Sequence, residues 1–162
     1  MEKPTLYLET TIPSYYTARV SQNLIVAAHQ AITIEWWQNE SHKYAMYISQ
    51  FVLDEVAEGD PEASQRRLDF LSPFPLLETT DEVLSLTKAI LRARFSPEKA
   101  IRDASHIAIV AVHGVEYLLT WNCTHINNAT LKEKLRIVCE QQGVHFPIIC
   151  TPEELMEEDY DP

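Results

Sequence analysis

The segment 97–122, PEKAIRDASHIAIVAVHGVEYLLTWN, leaves the chain few choices of fold. Ala100, Ile101, Ala104, Ile107, Ala108, Val110, Ala111 and Val112 give a helix almost no wet face beyond its first two turns, so that helix must be buried. Ser96 is placed to cap it, Pro97 to fill a first-turn position that needs no amide hydrogen, and Gly114 to end it. Tyr117, Leu118, Leu119 and Thr120 then read as a short strand, with Asn122 just past its end.

Asp103 is the anomaly in this stretch. An ionised carboxylate among Ala100, Ile101, Ala104 and Ile107 is costly unless it is paired or holds a metal. Arg102, Lys99 and His106 are the nearest partners in sequence, and His106, three residues on, shares its face. A partly solvated acid near a helix start is the competing reading, because acids are favoured there anyway.

At 162 residues the chain suits one domain, expected over 1–156, with an acidic tail at 157–162. Apolar residues at 46% against 23% charged argue for a globular protein and against disorder. No apolar run reaches the length of a membrane span, and MEKPTLYLET lacks the basic start and long apolar core of a secretory signal, so a soluble cytoplasmic protein is expected. Cys123, Cys139 and Cys150 form no CxxC, which points to reduced thiols and away from a zinc site. The net charge of -11 opposes simple electrostatic wrapping of nucleic acid. Lys88, Arg92, Arg94, Lys99 and Arg102, against Glu98 alone, nevertheless make a local +4 that runs into Asp103. That segment is either a solvated helix face or part of a binding surface.

Residues 5–8, TLYL, read as a buried strand ending on Glu9, with Ile12-Pro13 as its stop and 14–17 as a polar, aromatic loop. Tyr15 and Tyr16 could stack on bases or pack inward. Ser21 is placed to cap a helix through Leu24, Ala27, Ala28, Ala31 and Ile32 to Trp37, on which Trp36 and Trp37 should face different ways. Residues 45–49 form a second strand and 51–58 a short helix bearing Glu55, closed by Gly59. Asp60 and Pro61 start the next helix, 73–77 holds a short strand, and Thr79 with Glu82 makes a capping box for a helix through Val83, Leu86 and Ile90. A helix over 130–142, stopped by Gly143, precedes a last strand at 146–150 and a turn begun by Thr151, Pro152 and Glu154.

Strands alternating with helices imply a three-layer α/β/α sandwich around a mostly parallel sheet of about four to five strands. Sites in such folds lie outside the carboxyl ends of the strands. Glu9 and Asn122 each follow a strand, Glu55 belongs to the element after another, and Asp103 starts a helix, so the four could converge. Converging carboxylates repel, and a hard divalent cation with oxygen ligands, magnesium or manganese, relieves that repulsion. Such an ion supports phosphodiester hydrolysis by a metal-held water.

The sequence resembles the PIN-domain nucleases, and among them the VapC-like toxins of toxin-antitoxin pairs, over nearly its whole length. LYLETT at 6–11 is similar to the family's first motif, SQFVLDEV at 49–56 to its second, RDASHIAIVA at 102–111 to its third and LLTWN at 118–122 to its fourth. The resemblance implies a magnesium- or manganese-dependent endoribonuclease, with Glu9, Glu55 and Asp103 as catalytic metal ligands and Asn122 as a weaker or water-mediated one. It implies that Thr11 and Thr120 orient ligands or water. It also implies an RNA substrate, a homodimer and a cognate antitoxin, which the Trp36-Trp37 region or the early helices would meet. Arg102, His106 and His125 are further candidates for contact with a phosphate, although a lone histidine is commonly structural. Two departures stand out: Glu9 replaces the family's usual Asp, and Asn122 stands where many members carry Asp. Both imply weaker metal binding. They leave open a domain that acts through antitoxin or RNA binding without cutting, and beside it a hydrolase of small phosphorylated molecules.

Overall fold

The structure, a computed structural model, describes residues 2–94 and 100–157. The cap expected at Ser96 and Pro97, Lys99, and 158–162 of the expected tail lie outside the described residues. Five strands, β1 (Thr5–Leu8), β2 (Ala45–Ser49), β3 (Leu76–Leu77), β4 (Tyr117–Leu119) and β5 (Ile148–Cys150), form one sheet in the order β3-β2-β1-β4-β5. Every pairing is parallel, with Leu6 opposite Met46 on one side and Tyr117 on the other. Consecutive side chains of a strand point to opposite faces, and Leu6, Tyr7 and Leu8 are all fully buried, so helices cover the sheet on both sides. The expected three-layer architecture around a parallel sheet is the one observed.

The helices are α1 (Thr11–Thr17), α2 (Leu24–Glu40), α3 (Gln50–Val56), α4 (Pro61–Leu71), α5 (Asp81–Arg94), α6 (Ala100–Val112) and α7 (Ala129–Gln141). Helix α1 packs on α2 and α4, α5 packs on α6 and α7, and α3 touches both α4 and α6. The apolar surround read for 100–112 corresponds to a helix buried continuously from Ala104 to Ala111. Gly59, Gly114 and Gly143 all have positive φ at helix ends, a conformation that a side chain would strain.

Several local expectations are corrected. Residues 14–17 are the body of α1, because Pro13 sits in its first turn, where a missing amide hydrogen costs nothing. Helix α2 is capped by Asn23 and not by Ser21: the Asn23 side chain accepts from the amides of Ile25 and Val26. Helix α5 starts one residue later than expected, with the Thr80 hydroxyl accepting from the Val83 amide at 3.3 Å. Asn128 caps α7, β3 is only two residues long, and β5 begins at Ile148. The reciprocal bonds between Thr151 and Glu154 form as the sequence indicates. Trp36 is buried and Trp37 half-buried against Tyr16, Phe70 and Phe74.

In this strand order the chain leaves β1 toward β2 and β3, then crosses back to place β4 on the other side of β1. The direction of winding therefore reverses between β1 and β4. Parallel sheets of this kind place their sites at such a reversal, outside the carboxyl ends of the strands.

Candidate active site at the carboxyl edge of the sheet

Glu9 is the first residue past β1 and stands at this reversal, its amide bonded to the Leu119 carbonyl at 3.1 Å. It is 3% exposed, and its Oε1 accepts three hydrogen bonds: from the Thr11 amide at 3.0 Å, the Thr11 hydroxyl, and the Thr120 hydroxyl at 2.7 Å. Each of these hydroxyls also accepts an amide proton, Thr11 from Trp121 and Thr120 from Asn122, both at 2.9 Å. One carboxylate oxygen thus ties the end of β1 to the segment leaving β4. Burial raises the pKa of Glu9, and the neighbouring His106 and the threonine bonds work against that rise.

Asn122 extends the site on one side. Its Nδ2 donates to Asp103 Oδ1 at 3.2 Å, and its Oδ1 accepts from the backbone amide of His125 at 2.9 Å. On the other side lies Glu55, whose Oε1 accepts from the Thr10 hydroxyl at 3.1 Å and contacts His106 Nε2. His106 is fully buried, and its Nδ1 lies 2.6 Å from the Tyr7 hydroxyl, which in turn lies 2.7 Å from the Ser49 hydroxyl. Tyr7 and Glu9 are two residues apart at the end of one strand and so share a face of the sheet. Burial, with the charges of Glu9 and Glu55, raises the Tyr7 pKa well above its ordinary value, while the Ser49 bond lowers it; the phenol stays protonated.

Hydrogen bonds join Glu9, Thr120, Asn122 and Asp103 in one group and Thr10, Glu55, His106, Tyr7 and Ser49 in another, and the two meet where Glu9 and Thr10 follow each other at the exit of β1. The two other candidates lie differently. Arg102 is exposed and pairs with Glu58, and His125 meets Asn122 through its backbone while remaining exposed. Sequence reasoning missed Tyr7, Thr10 and the role of Ser49. The available signal was a tyrosine inside a buried strand, since a buried phenol requires a polar partner.

The donors have the chemistry of a magnesium or manganese site: carboxylate and amide oxygens, without thiols. Glu9 and Glu55 each use Oε1 for the protein's own donors, and among the described residues neither Oε2 receives a hydrogen bond. That is the pattern of a ligand oriented by its neighbours through one oxygen. As the side chains stand, however, no three His, Cys, Asp or Glu among the described residues are gathered as the ligands of one ion. The donors are of the expected kind, but the expected convergence on one ion is not assembled among the described residues.

No protein-family model matches the sequence, and no curated protein matches it. Among solved structures, the crystal structure of VapBC2 from Rickettsia felis bound to a DNA fragment from their promoter is similar, at 16% sequence identity and a TM-score of 0.57. The match covers 91% of this chain and 98% of that one. The likeness establishes the fold, which is PIN-like, as the four motifs implied.

Proposed function

We propose that the chain is a magnesium- or manganese-dependent endoribonuclease, the toxin of a toxin-antitoxin pair. The observation that carries this reading is Glu9, a buried carboxylate at the winding reversal, tied by Thr11 and Thr120 to the same edge that carries Asn122, Asp103 and Glu55. Glu9, Glu55 and Asp103 would hold the cation, with Asn122 as a weaker ligand. When bound, the ion offsets the carboxylates' repulsion, polarises a phosphoryl oxygen and lowers the pKa of a water. The protein's part is positional. Thr11 and Thr120 keep Glu9 as an acceptor, Thr10 and His106 hold Glu55, and Asn122 restrains Asp103. The likeness to a chain crystallised as VapBC2 supports an antitoxin partner.

Cleavage of single-stranded RNA in magnesium or manganese tests the reading. Wild type is expected to cut, whereas Glu9→Gln, Glu55→Ala and Asp103→Ala lose activity by at least about a hundredfold, at the upper end of what disturbing a metal site's support costs. Equal cleavage by all three variants rejects it. The absence of an assembled ligand shell among the described residues favours a second reading, a PIN-like domain acting through its antitoxin without cutting. Its signature is a stable complex with that partner and no metal-dependent cleavage by the freed chain.

A further inference from the structure

The hydroxyl of Ser49 is out of its ordinary place. Ser49 occupies the cap position of α3, yet its side chain makes no capping bond to that helix. Serine is among the preferred residues at a helix start because its hydroxyl caps the first amides, so diverting it implies a competing use. That use is Tyr7, 2.7 Å away and, like Ser49 and His106, fully buried. Thr10, at the cap position of α1, is diverted in the same way: it makes no side-chain cap and donates to Glu55. Two hydroxyls at helix starts on the carboxyl edge are thus turned to Glu55 and its support, Thr10 directly and Ser49 through Tyr7 and His106.

The chain has one self-consistent direction. Hydrogen on His106 Nε2 suits a carboxylate oxygen at Glu55, and a Tyr7 hydroxyl that donates to Nδ1, its own oxygen accepting from Ser49, selects the same tautomer. Without the Tyr7 hydroxyl only the carboxylate opposes hydrogen on Nδ1, the tautomer that turns the bare Nε2 lone pair on Oε1. Glutamate has several rotatable bonds, and donors at Oε1 settle them before a ligand arrives.

We propose that His106 is a positioning residue for Glu55, held by Tyr7 and Ser49 in the tautomer that donates to Oε1, which leaves Oε2 as the oxygen offered to a divalent cation. The proposal rests on the metal-dependent reading above, in which His106 already holds Glu55, and adds roles for Tyr7 and Ser49 that this reading does not require. Tyr7→Phe is the discriminating variant, because it removes one oxygen and keeps the ring in the core. His106→Gln is the more drastic companion.

The experiment measures two things on the full chain at neutral pH. Nitrogen chemical shifts of the His106 ring, recorded without metal, are expected to show Nε2–H alone in wild type and a mixture of tautomers in Tyr7→Phe. Manganese binding by calorimetry is expected to weaken about tenfold in Tyr7→Phe and His106→Gln, the scale set by loss of a ligand's supporting hydrogen bond. Thermal unfolding confirms that the variants are folded. A wild-type ring carrying hydrogen on Nδ1, or a folded Tyr7→Phe with unchanged tautomer and manganese affinity, overturns the proposal. If the affinity is unchanged in Tyr7→Phe while Glu55→Gln loses manganese, the positioning role falls and the metal reading stands. If Glu55→Gln binds manganese as wild type does, both fall.

Discussion

Glu9 answers two opposed demands with a single side chain. Burial pushes its pKa above the ordinary glutamate value of 4.5, and three donors at Oε1 resist that push. A raised folded-state pKa makes the carboxyl group stabilising below the unfolded value, and that stabilisation is lost as pH rises through the folded value. Glutamine at position 9 retains the acceptor and removes the charge. Glu9→Gln is therefore expected to be inactive and, free of metal at neutral pH, more stable than wild type. About 1 kcal/mol would move the unfolding midpoint of a chain this size by roughly 2–4 °C. The advantage should vanish as pH falls toward the ordinary carboxylate range, and unfolding midpoints measured across that range check it. Asn122 presents the converse case. Aspartate there would replace the Nδ2 donor, 3.2 Å from Asp103 Oδ1, with a second acceptor. Asn122→Asp should lower the stability of the metal-free protein by about 1–3 kcal/mol and tighten manganese binding; calorimetry showing no gain in affinity would place Asn122 outside the ligand set.

Among the elements, the helix starts separate into those that serve the fold and those given to the site. Asn23, Asp60 and Asn128 cap their helices with their own side chains. Removing such a cap is expected to cost about 1 kcal/mol without altering the chemistry, so Asn23→Ala should lower the unfolding midpoint while leaving RNA cleavage per folded molecule unchanged. Thr10→Val should do the opposite in kind, depressing metal affinity more than stability, because Thr10 supports Glu55 and caps nothing. This division marks what could be read from the chain. The buried character of α6, the parallel sheet and the three glycine stops follow from apolar period and backbone freedom, which are local properties. Helix α1 was hidden because Ile12-Pro13 resembles a stop and because the Thr10 hydroxyl makes no local bond that would announce a cap. The chain from Ser49 through Tyr7 to His106 spans separations of 42 and 99 residues, and only the register of β1 against β2 with the packing of α6 brings it together.

For the molecule as a whole, the charge balance and the topology give different instructions. A net charge of -11 disfavours long-range attraction of RNA, and Arg102, the last residue of the basic segment and in the first turn of α6, is engaged by Glu58. RNA recognition should therefore depend weakly on salt. Raising salt from about 50 to 200 mM is expected to lower affinity by less than about tenfold, against the 10³–10⁵ of a protein making 6–10 phosphate contacts. Filter binding at the two concentrations tests this. Topology instead concentrates polar side chains at one edge, where β1 and β4 diverge and those of the β1 exit, α3, α6 and the β4 exit gather. Crystals of the full chain soaked in manganese interrogate that edge through anomalous scattering. A peak contacting Glu9, Glu55 and Asp103 is the expected result; a well-ordered edge with no manganese at these residues, in a crystal saturated with the ion, would contradict it.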